Sequence, residues 1–345
     1  MTGEALYPVA SDAISYPMLS DFHARAPWLN GDLQTLRNTL VRPKFDLSPW
    51  PERRLEFDLG DGDRLLAKLH RPSEPGERPI LLLIHGLTGC EDSTYLRASA
   101  AHFLRLGYPV VRLNLRGAGP ARPLAEGHYH AGRSDDLRRG LAVLADQVPE
   151  AAVGVAVMGY SLGGNMLLKL LGEGGLPLPI HAAASVSAPV DLKATQVRMM
   201  QPRNWVYHGY LLRRMKAEST AAPEVLAAVR SVWEFDERVV APANGFAGAE
   251  DYYAQSAAKG YWRGIRVPTL IVTALDDPWI PGESYLRQRW SENRHLTLLT
   301  PKQGGHVGFH GRGSRTPWHD RCFEAFLGEV ARQPARSLSA ASMAK

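Results

Sequence analysis

The stretch VGVAVMGYSLGGNMLLKLLG, residues 153–172, decides the fold. Its first half is a short, continuous apolar run, typical of a buried strand, and its second half carries leucines at helical spacing. Ser161 lies where one half becomes the other, between Gly159 and Gly163. A G-x-S-x-G turn between a strand and a helix is a nucleophile elbow, which needs glycines because side chains beside the strained serine would collide. We therefore predict that Ser161 is a nucleophile at the carboxyl edge of a sheet.

Strand and helix patterns alternate on both sides of this turn. Apolar runs such as RPILLLIHGL, PVVRLNLRG, HAAASVSAP and VPTLIVTALDD are separated by segments with helical periodicity, one of them opened by Ser134 as an expected N-cap. The segment LEFDLGDGDRLLAKLHRP alternates about Gly60-Asp61-Gly62, which predicts a hairpin. The sequence thus predicts an α/β fold with a mostly parallel central sheet, helices on both faces and an antiparallel lead-in hairpin.

Composition and periodicity divide the chain into four segments. Residues 1–50 are rich in proline and aromatic residues with little periodicity, and we expect an extended arm packed on the body. The α/β core is predicted over residues 51–189 and 263–333. Between them, residues 190–262 show helical patterns without a strand pattern, which predicts a helical cap insertion, hereafter the cap. The Ala/Ser-rich residues 334–345 are expected to form a disordered tail.

A serine hydroxyl is a weak nucleophile, so it needs a base that an acid orients. The run TLIVTALDDPWI places Asp276 and Asp277 directly after an apolar strand, and LTLLTPKQGGHVGF places His306 in a glycine-flanked loop. Ser, Asp, His is the chain order of hydrolases with a nucleophile elbow. We predict a catalytic triad of Ser161, Asp277 and His306. Asp277 is the preferred acid because it directly precedes Pro278, and Asp276 remains the alternative or a supporting loop residue.

The charge that develops on a carbonyl oxygen must be met by preplaced donors. The motif LLLIHGLTG ends the first buried parallel strand, and its Leu87 backbone N–H can pair with that of Leu162, the residue after the nucleophile. These two amides are the predicted oxyanion hole. His85 is expected to brace this loop by hydrogen bonds rather than act as a second base.

With these motifs the chain resembles the YheT-like branch of the α/β-hydrolases, which also contains yeast medium-chain ethyl ester synthase/esterases and animal abhydrolase-domain lipases. The resemblance spans about residues 27 to 330, and its motifs are PWLNGDLQTL, HGLTGCEDSTYLR, VVRLNLRGAG, YHAGRSDDL, GYSLGGNMLLK, ALDDPWI and GGHVGF. It implies an α/β-hydrolase fold and a serine esterase or lipase acting on acyl esters, with the triad carried over onto Ser161, Asp277 and His306.

One departure from the family lies in the arm, where the usual pattern is closer to N-x-H-x-Q-T. Here Asp32 stands before Leu33, Gln34 and Thr35. Because the arm is interpreted as structural, this departure does not change the predicted chemistry.

Several other classes of function are disfavoured by composition. A net charge of +5 over 345 residues, from scattered arginines, does not indicate a nucleic-acid partner. Cys90 and Cys322 make neither a disulfide framework nor a metal pattern, and they fit free thiols in a reducing compartment. The first residues lack a basic start and an apolar run, and no stretch reaches the ~20 apolar residues that cross a bilayer. We expect a soluble, cytoplasmic protein.

No cofactor or metal is predicted. His128, His130, Asp135 and Asp136 in GHYHAGRSDD are interpreted as loop packing and helix capping. RGAGPAR has Arg122 where a dinucleotide loop needs its third glycine, and HGLTGCEDST lacks the G-K-[ST] of a phosphate-binding loop.

The predicted function is a serine carboxylic ester hydrolase that acts on short- to medium-chain acyl esters through an acyl-enzyme. Two alternatives remain open: an acyltransferase or alcohol ester synthase with the same acyl-enzyme, and a non-catalytic binding module on this fold. Oligomeric state and natural substrate are left open. The basic and aromatic cap segment NWVYHGYLLRRMK indicates at most weak peripheral membrane contact. An adaptable alkyl pocket above Ser161 is expected from the apolar cap residues Met199, Met200, Trp205, Val206, Tyr207, Leu211 and Leu212.

Overall fold

The computed structural model describes residues 21–74 and 76–332. An eight-stranded sheet with the order β1-β2-β4-β3-β5-β6-β7-β8 forms its centre. The strands are β1 Glu52–Asp58, β2 Arg64–His70, β3 Ile80–Ile84, β4 Val110–Asn114, β5 Val155–Tyr160, β6 Ile180–Val186, β7 Thr269–Val272 and β8 Leu296–Leu299. The helices are α1 Gly31–Val41, α2 Thr94–Arg105, α3 Ser134–Gln147, α4 Leu162–Glu173, α5 Leu192–Met199, α6 Trp205–Glu218, α7 Pro223–Ala228, α8 Val232–Phe235, α9 Ala241–Ala243, α10 Ala249–Ser256, α11 Glu283–Leu286 and α12 Trp318–Arg332.

The predicted α/β fold class is confirmed by the directions of these strands. β1 and β2 form the antiparallel hairpin, β2 pairs antiparallel with β4, and the pairs from β4 through β3 to β8 are parallel. Gly60 and Gly62 take φ values of 77° and 96° in the hairpin turn, which a side chain would strain. The carboxyl ends of the parallel strands therefore meet at one edge of the sheet, where binding sites of open α/β sheets form.

Two apolar layers cover the sheet, one on each face. α3 and α4 pack on one face through buried leucines such as Leu141 and Leu167. α2 and α12 pack on the other through Phe103 and Phe323. Strands β3, β4 and β5 are buried along their whole length, which is why β3 and β5 read as continuous apolar runs. β4 also buries two polar side chains, Arg112 and Asn114.

Two local expectations were wrong. Residues 31–41 of the arm form α1 rather than an extended segment, because the Asn30 side chain accepts from the Leu33 N–H at 2.9 Å and caps the helix. Ser134 is the first residue of α3 and not its N-cap; its hydroxyl instead donates to Glu173 Oε2 at 2.6 Å.

Residues 190–262, all of which the structure describes, hold helices α5 to α10 and no strand. Their own apolar cluster is small and consists of Leu212, Met215, Val229 and Phe235. A π-helical turn, Asp236–Val240, joins α8 to α9. The predicted tail, residues 334–345, lies outside the described residues.

Candidate active site

The nucleophile elbow is a sharp turn between β5 and α4. Ser161 has φ 50° and ψ −123°, a positive φ that is uncommon for a residue with a side chain and costs on the order of 1–3 kcal/mol. Two backbone hydrogen bonds hold it: Ser161 N–H donates to Val186 O at 2.8 Å, and Asn165 N–H donates to Ser161 O at 3.1 Å. The neighbouring strand and the first turn of α4 thus hold Ser161 in its strained backbone conformation.

Both predicted elbow glycines are sterically required. A Cβ on Gly159 would lie 2.6 Å from the Gly163 carbonyl oxygen, and a Cβ on Gly163 would collide with the His85 carbonyl oxygen. Strand, helix and the loop after β3 could not approach so closely with any larger residue at these positions.

The three predicted triad residues lie together in one hydrogen-bonded row. His306 Nε2 is 2.9 Å from Ser161 Oγ, and His306 Nδ1 is 2.8 Å from Asp277 Oδ2. These residues come from three strand ends, after β5, β7 and β8. The arrangement has the geometry of a nucleophile, a base and an acid that fixes the base's tautomer.

Asp277 is fully buried, and both of its oxygens are engaged. Oδ1 accepts from the backbone N–H groups of Trp279 at 2.8 Å and Ile280 at 3.0 Å, which leaves Oδ2 for His306. The Trp279 ring stacks on the imidazole at a centroid distance of 4.4 Å. The carboxylate and the imidazole plane are therefore both held in position.

Asp276 lies at the base of the loop that carries His306. Its Oδ1 accepts from Gly305 N–H at 2.9 Å, and burial, with the nearby charge of Asp277 adding to it, raises the pKa of this carboxyl. The structure therefore places Asp276 beneath residues 304–310, hereafter the histidine loop, and brings Asp277 to the imidazole.

The arm contributes to the same loop, which the sequence reasoning missed. Thr35 Oγ1 accepts from His306 N–H at 2.8 Å and donates to Gly31 O at 2.6 Å. The buried Gln34 carboxamide accepts from His310 N–H at 2.7 Å and donates to His310 O at 3.2 Å. The available signal was the family-like motif PWLNGDLQTL, whose Gln34 and Thr35 make these contacts.

Asp32, the position that departs from the family pattern, joins the arm to the cap. Its carboxylate accepts from Tyr207 OH at 3.0 Å and from Arg203 Nη2 at 2.7 Å. The Tyr207 ring in turn lies 5.6 Å from the Trp279 ring that stacks on His306.

The loop after β3 lies directly against the nucleophile, since a Cβ on Gly86 would be 2.9 Å from Ser161 Cβ. His85 braces it as expected. Leu115 N–H donates to His85 Nε2 at 3.0 Å, so Nδ1 carries the proton and donates to Gly86 O at 2.7 Å. Burial lowers the His85 pKa to about 4, which keeps the ring neutral. Among the described residues, the N–H groups of Leu87 and Leu162 have no hydrogen-bond partner.

A cavity of about 540 Å³ lies above Ser161, between the sheet edge and the cap. Its wall is mixed. Apolar side chains on it include Leu87, Leu162, Leu192, Met199, Leu211 and Trp279. Polar side chains on it include His128, Arg133, Glu218, Asp236, Asn244 and Tyr253. The volume is in the usual range for a small-molecule site.

Comparisons with known proteins agree with this fold. A family model for the alpha/beta hydrolase fold matches residues 79–235. The YheT protein of Escherichia coli (strain K12), to which an esterase function is ascribed, is 33% identical over 313 residues, covering 87% of this chain and 90% of that protein. The phospholipase ABHD3 of Mus musculus is 29% identical over 309 residues, covering 84% of this chain and 74% of that protein.

The chain belongs to the α/β-hydrolase family. Within it, this hydrolase lies in the YheT-like branch of esterase and lipase-type enzymes, as its motifs predicted. A solved structure of the Pyrococcus furiosus esterase Pf2001 has a TM-score of 0.58 at 17% identity, over 91% of this chain and 99% of that one. At this identity the likeness shows the fold alone.

The expected alkyl pocket of the hydrolase is only partly correct in its residues. Met199 and Leu211 line the cavity, whereas Leu212 packs inside the cap. Met200, Trp205 and Val206 are 43%, 73% and 61% exposed, on the outer surface. α6 therefore turns Leu211 inward and Trp205 outward, and the sequence did not predict the polar part of the wall.

The residues considered as metal ligands have other partners. Asp136 forms a two-point ion pair with Arg116 at 2.6 and 2.8 Å. The buried His130 Nδ1 accepts from Gly132 N–H at 3.2 Å, and burial lowers its pKa to about 3. In the part of the chain that the structure describes, no group of three or more His, Cys, Asp or Glu side chains could hold a metal ion. Nor is any described helix of this hydrolase long and apolar enough to span a bilayer.

Proposed function

We propose that this enzyme is a serine carboxylic ester hydrolase in which Ser161 forms an acyl-enzyme, His306 is the general base and acid, and Asp277 orients the imidazole. The observation that carries the proposal is the row Ser161 Oγ, His306 Nε2, His306 Nδ1 and Asp277 Oδ2, with contacts of 2.9 and 2.8 Å. The esterase and phospholipase names of the relatives support the same reaction class. A binding module without catalysis would have no need for the strained serine beside a tautomer-fixed histidine.

The first half of the reaction makes the acyl-enzyme. Ser161 Oγ attacks the ester carbonyl carbon while His306 Nε2 takes the hydroxyl proton. The carbonyl oxygen becomes an oxyanion, for which we propose the free N–H groups of Leu87 and Leu162 as donors, helped by the N-terminus of α4. The C–O bond to the alcohol then breaks, and the imidazolium returns its proton to the leaving oxygen.

The second half releases the acid. Water attacks the acyl carbonyl as His306 Nε2 takes one of its protons. The bond to Ser161 Oγ breaks, the imidazolium protonates that oxygen, and the carboxylic acid leaves. Asp277 remains ionised throughout and stabilises the imidazolium.

The cavity supports short- to medium-chain acyl groups as substrates. Each buried methylene contributes about 0.8 kcal/mol, or about fourfold in kcat/KM, until the apolar part of the wall is covered. The same wall carries polar side chains such as Arg133 and Asp236, against which a longer alkyl chain gains nothing. We expect kcat/KM to rise and then fall along a series of p-nitrophenyl esters from two to sixteen acyl carbons, with no cleavage of peptides.

The decisive experiment combines this series with Ser161→Ala. The wild type should hydrolyse the esters and react with a fluorophosphonate probe, while Ser161→Ala should escape labelling and lose on the order of 10⁶ in turnover. Equal labelling of both proteins, or faster cleavage of amides than of esters, would overturn the proposal. Running the series with added alcohol measures how much acyl group passes to alcohol instead of water.

A further inference from the structure

In the loop at residues 85–88, each successive peptide group is held by its own hydrogen bond. Gly86 N–H donates to Tyr95 OH at 2.9 Å, which fixes the first peptide group. Gly86 O, which accepts from His85, belongs to the same peptide group as the Leu87 N–H. Because a peptide group is planar and trans, holding its oxygen also sets the direction of its N–H.

The next two peptide groups meet at Thr88, which has φ 55° although its side chain is β-branched. Thr88 N–H donates to Tyr129 OH at 2.6 Å. Thr88 O accepts from Arg214 Nη2 at 2.8 Å. The strained residue beside Leu87 is thus held from both sides, once by the core and once by the cap helix α6.

A single carboxylate joins these two contacts. Tyr129 OH, having accepted from Thr88, donates to Glu218 Oε2 at 3.3 Å. Arg214 Nη2 lies 3.5 Å from Glu218 Oε1, one helical turn along α6. Tyr129 is buried, and its ring meets the His85 ring edge-on at 5.7 Å. Tyr129, Arg214 and Glu218 therefore form a closed polar network around Thr88.

We propose that Tyr129, Arg214 and Glu218 are positioning residues that hold Thr88 and, through it, the Leu87 N–H, so that cap helix α6 sets the geometry of the oxyanion hole. The inference rests on the proposed ester hydrolysis. It assigns the cap a part in transition-state stabilisation beyond its contact with the acyl chain. A donor that acts on the oxyanion is used in the transition state and little in the ground state, so its misplacement lowers kcat with little change in KM.

The test uses two variants that each remove one contact with Thr88. Tyr129→Phe removes the hydroxyl and keeps the ring against His85; Arg214→Gln removes the guanidinium on the cap side. We expect kcat to fall about tenfold in each, less than the 10²–10³ for outright loss of an oxyanion donor, with KM within about twofold. The inhibition constant of a trifluoromethyl ketone, which forms a tetrahedral adduct with the serine, should rise by the same factor.

Matched controls remove the same chemical groups elsewhere. Arg213→Gln changes the neighbouring arginine, whose guanidinium lies as far from the Tyr210 ring as that of Arg214, 5.9 Å. Tyr261→Phe removes a hydroxyl that donates to Gln255 O at 2.7 Å. Both controls should keep the wild-type kcat. The double variant Tyr129→Phe/Arg214→Gln should lose less than the product of the single losses, because both contacts serve one residue.

Three results would overturn the inference. One is a kcat for Arg214→Gln equal to that of the wild type. Because Arg214 is more exposed than Tyr129, this variant still tests the inference if Tyr129→Phe does not fold. Another is a fall in kcat without the matching loss of ketone affinity. The third is an equal fall in the controls. If the wild type itself hydrolyses no ester, the proposed function fails and this inference with it. If the wild type hydrolyses esters and Tyr129→Phe and Arg214→Gln keep its kcat, the inference alone is overturned.

Discussion

The floor of the cavity and its cap are stabilised in different ways. On the floor, Ser161, His306 and Asp277 stand on the ends of buried strands, and each is held by at least one backbone hydrogen bond or buried contact. The cap consists of six helices, α5 to α10, and its own apolar cluster is small, because α5 and α10 pack on the core of the sheet instead. Its inner surface mixes apolar and charged side chains. The difference indicates that the sheet holds the triad, while cap residues away from Thr88 can vary with the substrate without disturbing the triad.

The largest expected effect lies on the floor, in Asp277→Asn. Trp279 and Ile280 N–H groups require an acceptor at the Oδ1 position, so the new amide must turn its NH₂ toward His306. The imidazole then carries its proton on Nε2 and cannot take one from Ser161. Turnover should fall by about 10⁴, as measured by ester hydrolysis.

Asp276→Asn is the matched control for this change. Its side-chain oxygen can still accept from Gly305 N–H, so the loss should be far smaller. The reverse ranking would assign the acid to Asp276.

The cap's counterpart to this buried carboxylate is Asp236, which has no cation beside it among the described residues. Its Oδ2 accepts from Tyr253 OH at 2.6 Å, and burial raises its pKa to about 7. Between about pH 4 and pH 7 the Asp236 carboxyl is ionised in the unfolded chain but still protonated in the folded chain. The stability that the folded protein has at low pH is therefore lost as the pH rises through this range. Asp236→Asn should stabilise the protein above pH 7, by on the order of 2–4 kcal/mol, and little below pH 4.

Urea unfolding at a series of pH values measures this difference, with the exposed Glu224→Gln substitution in the same cap as its control. If Asp236→Asn raised the free energy of unfolding by the same amount at pH 5 and at pH 8, the expectation would be contradicted.

A smaller effect should follow from removing the arm's contact with the histidine loop. Thr35→Val leaves His306 N–H without its acceptor and should lower kcat about tenfold, the equivalent of one lost hydrogen bond. Thr39→Val, one turn further along α1 and exposed, should have no effect. Equal kcat values for both variants would show that the loop keeps its position without the arm.

The smallest effect tests the cap's inner face against its outer face. Met199→Ala enlarges the cavity and should shift the preferred acyl chain to greater length, with several-fold changes in relative kcat/KM per carbon. Trp205→Ala, on the outer face, should leave the chain-length profile unchanged. Identical profiles for the two variants would mean that the acyl chain does not bind beneath α5.

The parts of this enzyme that were predictable from the sequence are those with a short-range signal. Strands β3, β5 and β7 read as apolar runs because both of their faces are buried, and the elbow shows its glycines within five residues. Helix α1 was missed although Leu33, Leu36 and Leu40 repeat at helical spacing. Its contacts with the histidine loop are made by polar groups such as Gln34 and Thr35, which a hydrophobic pattern does not reveal. The network at Thr88 was missed for a related reason, since Glu218 lies 89 residues from Tyr129 and nothing local marks the pair.

The hydrogen bond between Thr35 and His306 joins residues 271 positions apart. During synthesis, the arm leaves the ribosome long before the loop that it supports, and at 5–20 residues per second the interval is on the order of 15–50 seconds. The base can therefore reach its final position only when almost the whole described chain has been made and folded. A nascent chain in which the nucleophile elbow has already folded still lacks the base and is inactive. The moment at which ester hydrolysis begins would therefore report when folding is complete during translation.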